Sequence, residues 1–244
     1  MRWFTSISQQ FNLSRFTNAL GDALWQADCP LCKRPATQIL CQDCDRQLLA
    51  MRSPSFLQND APIAPEIPLY SWGIYDGALK RAIATCKYNG RPEIMSAIAN
   101  HMAQSWQQHI KLSSMRQGIA PSSTLCLVPI PLHANKLKSR GFNQAEVLAH
   151  QFSKLTQIPC HPQLLQRVKD TKAQIQTKTA TERQSNLANA FLVTTPTKYL
   201  KREVILCDDI YTSGATIREA IATLTHHQIT VRGAVVIARP HFQQ

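Results

Sequence analysis

Long hydrophobic runs are missing from this chain of 244 residues. No apolar stretch approaches the roughly 18 residues that would cross a bilayer. The first residues, MRWFTSISQQFNLSRF, are broken by Ser, Gln and Asn and lack both the apolar core and the small-residue cleavage site of a signal peptide. Acidic side chains are scarce, 15 against 27 Lys and Arg, which leaves a net charge of +12. Charged residues are 17% of the chain, below the roughly 25% of average soluble proteins. The 44% apolar content still supports a packed core and excludes a disordered chain. Internal repeats and low-complexity tracts are absent too. The expectation is one or two globular domains in the cytoplasm, with no integral membrane segment and room for a peripheral place at the inner membrane face. The basic excess favours a polyanionic partner: nucleic acid, nucleotides or anionic lipid.

Eight cysteines are present, and their distribution is uneven. Cys29, Cys32, Cys41 and Cys44 are clustered in CPLCKRPATQILCQDC, whereas Cys86, Cys126, Cys160 and Cys207 are isolated. A disulfide framework would spread its pairs; two close pairs followed by single cysteines point to a reducing compartment and a metal. A two-residue spacer turns both sulfurs of a knuckle toward one point, and two knuckles close a tetrahedral Zn2+ site. With four thiolates no position is left for water, so the site is structural. Pro30 and Lys33-Arg34-Pro35 suit the turns, and the basic pair offsets thiolate charge.

Ahead of the cysteines, Phe4, Ile7, Phe11, Leu13, Phe16, Leu20, Leu24 and Trp25 recur largely at helical spacing. This segment suits helices packed on the zinc module, with contact to a membrane or partner as the alternative. Pro54, Pro62, Pro65 and Pro68 fall within residues 52–68 and forbid a regular helix there. The expected organisation is an N-terminal helix and zinc-ribbon-like module over residues 1–51, a Pro-rich linker over 52–68 and a main domain over 69–244.

The main domain alternates. Strands are expected at 70–75, 124–131, 202–210 and 229–238, and helices at 76–89, 92–110, 142–156 and 213–227. Apolar strands separated by amphipathic helices predict a parallel α/β sheet, whose ligands sit at the carboxyl ends of the strands.

Two strand ends carry chemistry. In VILCDDIYTSGAT, residues 204–216, a buried strand ends in Asp208 and Asp209, and Thr212-Ser213-Gly214-Ala215-Thr216 opens a helix. Free N–H groups at a helix start suit a monophosphate. Acids beside that cradle would repel the phosphate itself, so they suit sugar hydroxyls or a metal-bound diphosphate, and together the parts fit a ribose 5-phosphate. In VPIPLHANKLKSRGFNQAEVLA, residues 128–149, a strand runs into a loop with His133, Lys136, Lys138 and Arg140 before Gly141 and a helix. Three permanent cations at the edge of the same sheet suit a diphosphate. Cys207, beside Asp208, reads as a buried core residue.

The stretch 204–216 resembles the phosphoribosyl diphosphate (PRPP) signature of type I phosphoribosyltransferases. From about residue 20 to 239 the chain resembles the ComF family, a phosphoribosyltransferase-like group associated with competence. The resemblance rests on the four-cysteine module, on Lys87-Tyr88-Asn89-Gly90, on the loop from Ser139 to Gln144, and on a run of Arg167, Thr171, Gln174, Arg183, Asn186, Ala190 and Phe191. It implies a type I phosphoribosyltransferase-like parallel sheet with flanking helices and a small N-terminal zinc-binding module. It also implies a PRPP site accompanied by Mg2+, and a role in uptake of single-stranded DNA during natural transformation.

Carried over residue by residue, the resemblance gives Asp208 and Asp209 the ribose hydroxyls and makes them the best catalytic candidates. Thr212, Ser213, Gly214, Ala215 and Thr216 receive the phosphate, and Arg140 and then Lys87 the diphosphate. Partners expected on this reading are PRPP, single-stranded DNA, and a DNA-uptake helicase or other competence protein. The alternative is an active transferase moving ribose 5-phosphate from PRPP to a nucleobase-like acceptor. Trp72, Tyr88, Trp106, Phe142 and Tyr211 are available for base stacking, although most suit the core better.

Overall fold

The computed structural model describes residues 27–54, 56, 62–117, 124–169, 189–194 and 201–240, with side chains 109–117 set aside. The helical segment expected before the cysteines lies outside these residues, as do Thr171, Gln174, Arg183 and Asn186.

A parallel sheet of four strands organises the main domain. In chain order these are β3 (Leu69–Ile74), β4 (Leu125–Pro129), β7 (Glu203–Ile210) and β8 (Thr230–Arg239), and their spatial order is β3-β8-β7-β4. All three pairings are parallel, as the alternating pattern predicts. Helices α2 (Gly77–Asn89) and α3 (Glu93–Gln117) follow β3; α4 (Ala134–Arg140) and α5 (Gln144–Thr156) follow β4; α6 (Ala215–His226) joins β7 to β8.

The strands are apolar on both sides because helices or loops cover both faces. Their period of two sorts residues between two cores. Ile205 and Cys207 of β7, Val235 and Ile237 of β8 and Leu127 of β4 pack with α2, α3 and α5. Val204, Leu206, Ala234, Val236, Cys126 and Val128 point the other way, into a core with Ile217, Ala220 and Leu224 of α6. That second face also carries the antiparallel pair β5 (Leu165–Arg167) and β6 (Phe191–Val193), whose Leu165 and Phe191 are buried in it.

The cysteine region folds as a hairpin of β1 (Ala27–Asp28) and β2 (Pro35–Ala36) followed by α1 (Gln42–Leu49). Too small for its own core, it adds Cys29, Leu40, Cys44 and Leu48 to the cluster that holds α2 and α3. The chain leaving α1 then runs beside β3: Ser53 N donates to Trp72 O at 2.8 Å, and Ile74 N to Met51 O at 3.0 Å. Gly73 makes this approach possible, since a Cβ there would stand 2.8 Å from Met51 O and 2.7 Å from Leu79 Cδ2. The opening of the Pro-rich stretch is thus an edge pairing, Arg52 opposite Gly73.

One expectation changes in form. The basic stretch after β4, expected as a loop, contains the two-turn helix α4. His133 accepts from Asn135 N and starts it, while Gly141, at φ +82°, ends it with its N–H on Leu137 O. No described helix is long and apolar enough to cross a membrane.

Candidate functional site

Four sulfurs, those of Cys29, Cys32, Cys41 and Cys44, lie within 4.8 Å of one another. The hairpin presents the first two; Cys41, the N-cap of α1, and Cys44, in its first turn, present the second two. Tetrahedral Zn–S bonds of about 2.3 Å require S···S edges of about 3.8 Å, and Cys32 and Cys41 stand 3.5 Å apart. The cage therefore has the dimensions of a metal site, and its donors are the thiolates that zinc prefers. All four thiols are free of disulfides. Lys33 adopts φ +66° to close the first knuckle, with its N–H on Cys29 O at 2.8 Å. Arg34 then turns its guanidinium onto Cys32 Sγ at 3.4 Å and Cys41 Sγ at 3.7 Å, and is braced by Asp43 at 2.7 Å. That hydrogen bond draws the Cys32 thiol down to about 6, whereas burial pushes Cys44 up. Four sulfurs packed this closely hold their charge together only around a cation.

The second site lies where the carboxyl ends of β4 and β7 meet, adjacent strands of the sheet. The period of two sends Asp208 toward the α6 side and Asp209 toward the α2 side. Asp209, 8% exposed, meets Lys87 of α2: Nζ lies 2.6 Å from Oδ2. Lys87 occupies the last turn of α2, where the helix dipole favours a cation, and Gly90 caps the helix at φ +62°. Asp208 accepts from Asp209 N at 2.8 Å. Burial first, and then the Asp209 charge, push Asp208 up to about 7, with Lys87 and Arg167 drawing it back. Arg167 therefore acts on the other acid from the other face, its guanidinium 5.7 Å from the centroid of Phe191. Arg140, at the end of α4, acts with Lys87 and Asp209 on the Cys86 thiol, which burial lifts to about 12.

Beyond the acids, Tyr211 N donates to Ala238 O at 2.9 Å, fixing the exit of β7. Gly214, at φ +72°, starts α6 without a side-chain cap, so the first N–H groups of that helix face the loop uncapped by a side chain. The left-handed φ favours glycine there, and a Cβ would stand 2.1 Å from Tyr211 Oη and 2.7 Å from Arg218 Nη1, so both side-chain ends would have to move. Arg218 folds back over the loop, donating to Ser213 O at 2.6 Å and Tyr211 Oη at 3.3 Å. Across the crevice, buried Asn143 ties the basic segment to β4, donating to Ile130 O at 3.0 Å and accepting from Ala145 N at 3.2 Å.

The structure thus joins Asp208, Asp209 and Lys87 directly, whereas Arg140 is linked to them only through its electrostatic action on Cys86. Thr212, Ser213, Gly214, Ala215 and Thr216 form the loop that follows. Sequence reasoning gave no site role to Arg167 or Arg218. Arg218 had a signal, its position one helical turn past Gly214; Arg167 stood in the motif run without a site assignment. Trp72 and Trp106 are buried, whereas Tyr88 is 80% exposed.

No family model matches the chain. Competence protein ComFC of Bacillus subtilis is 27% identical over 197 residues, covering 80% of this chain and 70% of its own length. Competence protein F of Haemophilus influenzae is 37% identical over a shorter region of 94 residues, 38% of this chain and 41% of that protein. DNA utilization protein YhgH of Salmonella typhimurium is 27% identical over 198 residues, 78% of this chain and 81% of its own. These alignments, with the four-cysteine cluster and the parallel sheet, support the resemblance of this chain to the ComF family.

Proposed function

We propose that the chain binds PRPP with Mg2+ between the carboxyl ends of β4 and β7, and that it serves the handling of single-stranded DNA during natural transformation. The observation that carries the ligand reading is the acid pair. Asp208 and Asp209 stand at one strand end, flanked by cations on both faces and followed by an uncapped helix start. Ribose hydroxyls suit the acids, the 5′-phosphate suits the loop 212–216, and a diphosphate suits Arg140 and Lys87. The competence and DNA-utilization names of the relatives support the DNA role. The +12 charge supports it as well. The cysteine cage holds one structural Zn2+ in this reading, the main domain begins at residue 69, and the protein works in the cytoplasm.

The intact acid pair and loop also favour a second reading, transfer of ribose 5-phosphate to a base. In that chemistry diphosphate leaves C1 and the acceptor attacks the opposite face. The chain would contribute position and charge, with no protein nucleophile needed. Cys207 suits none, since burial raises its thiol well above the ordinary range.

Deletion in a naturally transformable host separates the two. The DNA role predicts a fall in transformation with normal growth in the absence of added bases, rescued by wild-type chain and not by Asp208→Ala/Asp209→Ala. Normal transformation together with a purine or pyrimidine requirement would favour the transferase.

A further inference from the structure

Of the five aromatic side chains that the sequence offers for base stacking, the fold withdraws four. Trp72 and Trp106 are buried. Phe142 packs against the core that holds α2, α3 and α5. Tyr211 packs against the other core, and its hydroxyl accepts from Arg218. Tyr88 stands in solvent: at 80% it is the most exposed large apolar or aromatic side chain among the described residues.

The end of α2 holds it there. Cys86 is buried and Lys87 turns to Asp209, so the next residue of the last turn points away from both. Gly90 stops the helix in the left-handed conformation, at φ +62°, directly behind the ring. A Cβ on Gly90 would meet nothing within 4 Å, so the turn after Tyr88 leaves its surroundings open.

A bare ring stacks on a nucleobase whose face is also bare. Bases in a duplex cover one another, so the fitting partner is a single strand. The charge agrees. Helix α2 carries Lys80, Arg81 and Lys87 and no acid. Lys80, Ala84 and Tyr88 fall on one stripe at four-residue spacing. Lys80 and Tyr88 are about 12 Å apart along it, so one strand can touch both. Arg140, the last residue of α4, acts on Cys86 in the same helix end as Tyr88. Phosphates that follow Lys80 and the cations of α4 bring their bases toward Tyr88. The end of α2 itself is a poor place for phosphate, because its last carbonyls are the negative pole of the helix and Lys87 is engaged by Asp209. A neutral ring makes the contact there instead.

We propose that Tyr88 is a base-stacking contact for single-stranded DNA, beside a backbone path laid by the cations of α2 and α4. This rests on the DNA-handling reading given above and names the surface that would carry it.

Anisotropy titration of the full chain, loaded with zinc, tests it with two labelled strands of about twelve units. One is oligothymidylate; the other has the same phosphates and no bases. Wild type binds the base-bearing strand at least tenfold more tightly. In Tyr88→Ala, oligothymidylate weakens at least fivefold, the abasic strand holds, and the salt slope is unchanged because no phosphate contact is lost. Tyr88→Trp keeps the wild-type preference. Wild-type affinity in Tyr88→Ala, or equal weakening of the two strands, overturns the proposal and leaves the DNA reading standing. A wild type that binds neither strand overturns both.

A wild-type measurement stands beside the variants. Irradiation with a strand carrying 5-iodouracil in place of thymine should join a base to Tyr88, located by mass spectrometry. Crosslinks confined to other residues also overturn the proposal.

Discussion

Asp45 Oδ1 lies 2.7 Å from His101 Nε2, tying α1 of the cysteine module to the middle of α3. The same imidazole stacks on Trp72 of β3, at 6.1 Å between centroids and 11° between planes. A second tie runs from Arg81 Nη2 of α2 to Gln47 Oε1 at 2.9 Å. The module is therefore seated on α2, which carries Lys87, and on α3, so a metal held in the cysteine cage would bear on the whole domain.

Metal removal follows from that seating. Purified protein is expected to hold about one zinc per chain after dialysis. Cys41→Ser should lose most of it. Chelation should lower the melting temperature of the single main transition by several degrees, because the module shares its apolar cluster with α2 and α3. A Cys41→Ser protein with full zinc content and wild-type melting contradicts the four-sulfur assignment.

Gly73 is the steric hinge of the same junction. A methyl group there meets the Met51 carbonyl and Leu79, and overpacking of this kind costs about 1–3 kcal/mol. Gly73→Ala should lower stability to urea by that amount while zinc content stays at the wild-type level, since the cage lies beyond the junction. Wild-type stability in this variant would show that the chain after α1 does not lie against β3.

Asp208 gives the protein a pH signature. Its folded value of about 7 stands above the roughly 4 of an unfolded Asp. Between those values the native state binds more protons than the unfolded state, so this group's contribution to stability falls as pH rises from about 4 to about 7. The groups acting on it are Asp209, Lys87 and Arg167. Urea titrations at pH 5 and pH 8 should show a smaller loss with rising pH in Asp208→Asn than in wild type. Parallel losses would contradict a raised carboxyl at Asp208.

The exposed face of α4 is where a nucleic-acid backbone is expected. This helix has no buried residue and carries Lys136, Lys138 and Arg140. Replacing all three by Gln should weaken single-stranded DNA and flatten the salt slope by about two units, from about −0.7 per phosphate contact. An unchanged slope would place the DNA elsewhere. PRPP should weaken in the same variant, because Arg140 is the proposed contact of the diphosphate.

The strands and long helices were legible because burial on two faces leaves apolar runs and burial on one leaves a helical stripe. Val204 to Cys207 read as a buried strand from composition alone, and the structure adds which residue faces which core. The cysteine spacing was legible for a chemical reason: metal geometry constrains sequence more tightly than packing does. Helix α4 was not, since a helix that buries nothing has no apolar period and is set only by His133 and Gly141. The two- and three-residue pairings of β1 with β2 and β5 with β6 are too short for alternation to register. At the site, the acids and the glycine loop announced themselves. The partnership of Lys87 with Asp209 did not, because it depends on which way the strand turns each acid and joins residues far apart in the chain.

Calorimetric titration of zinc-loaded protein with PRPP and Mg2+, wild type against Asp208→Asn/Asp209→Asn, tests the central claim most directly. The account predicts one PRPP per chain in wild type, a requirement for Mg2+, and affinity at least tenfold weaker in the double variant at unchanged zinc content and secondary structure. Equal affinity in the two proteins, or no heat of binding in wild type, would contradict it.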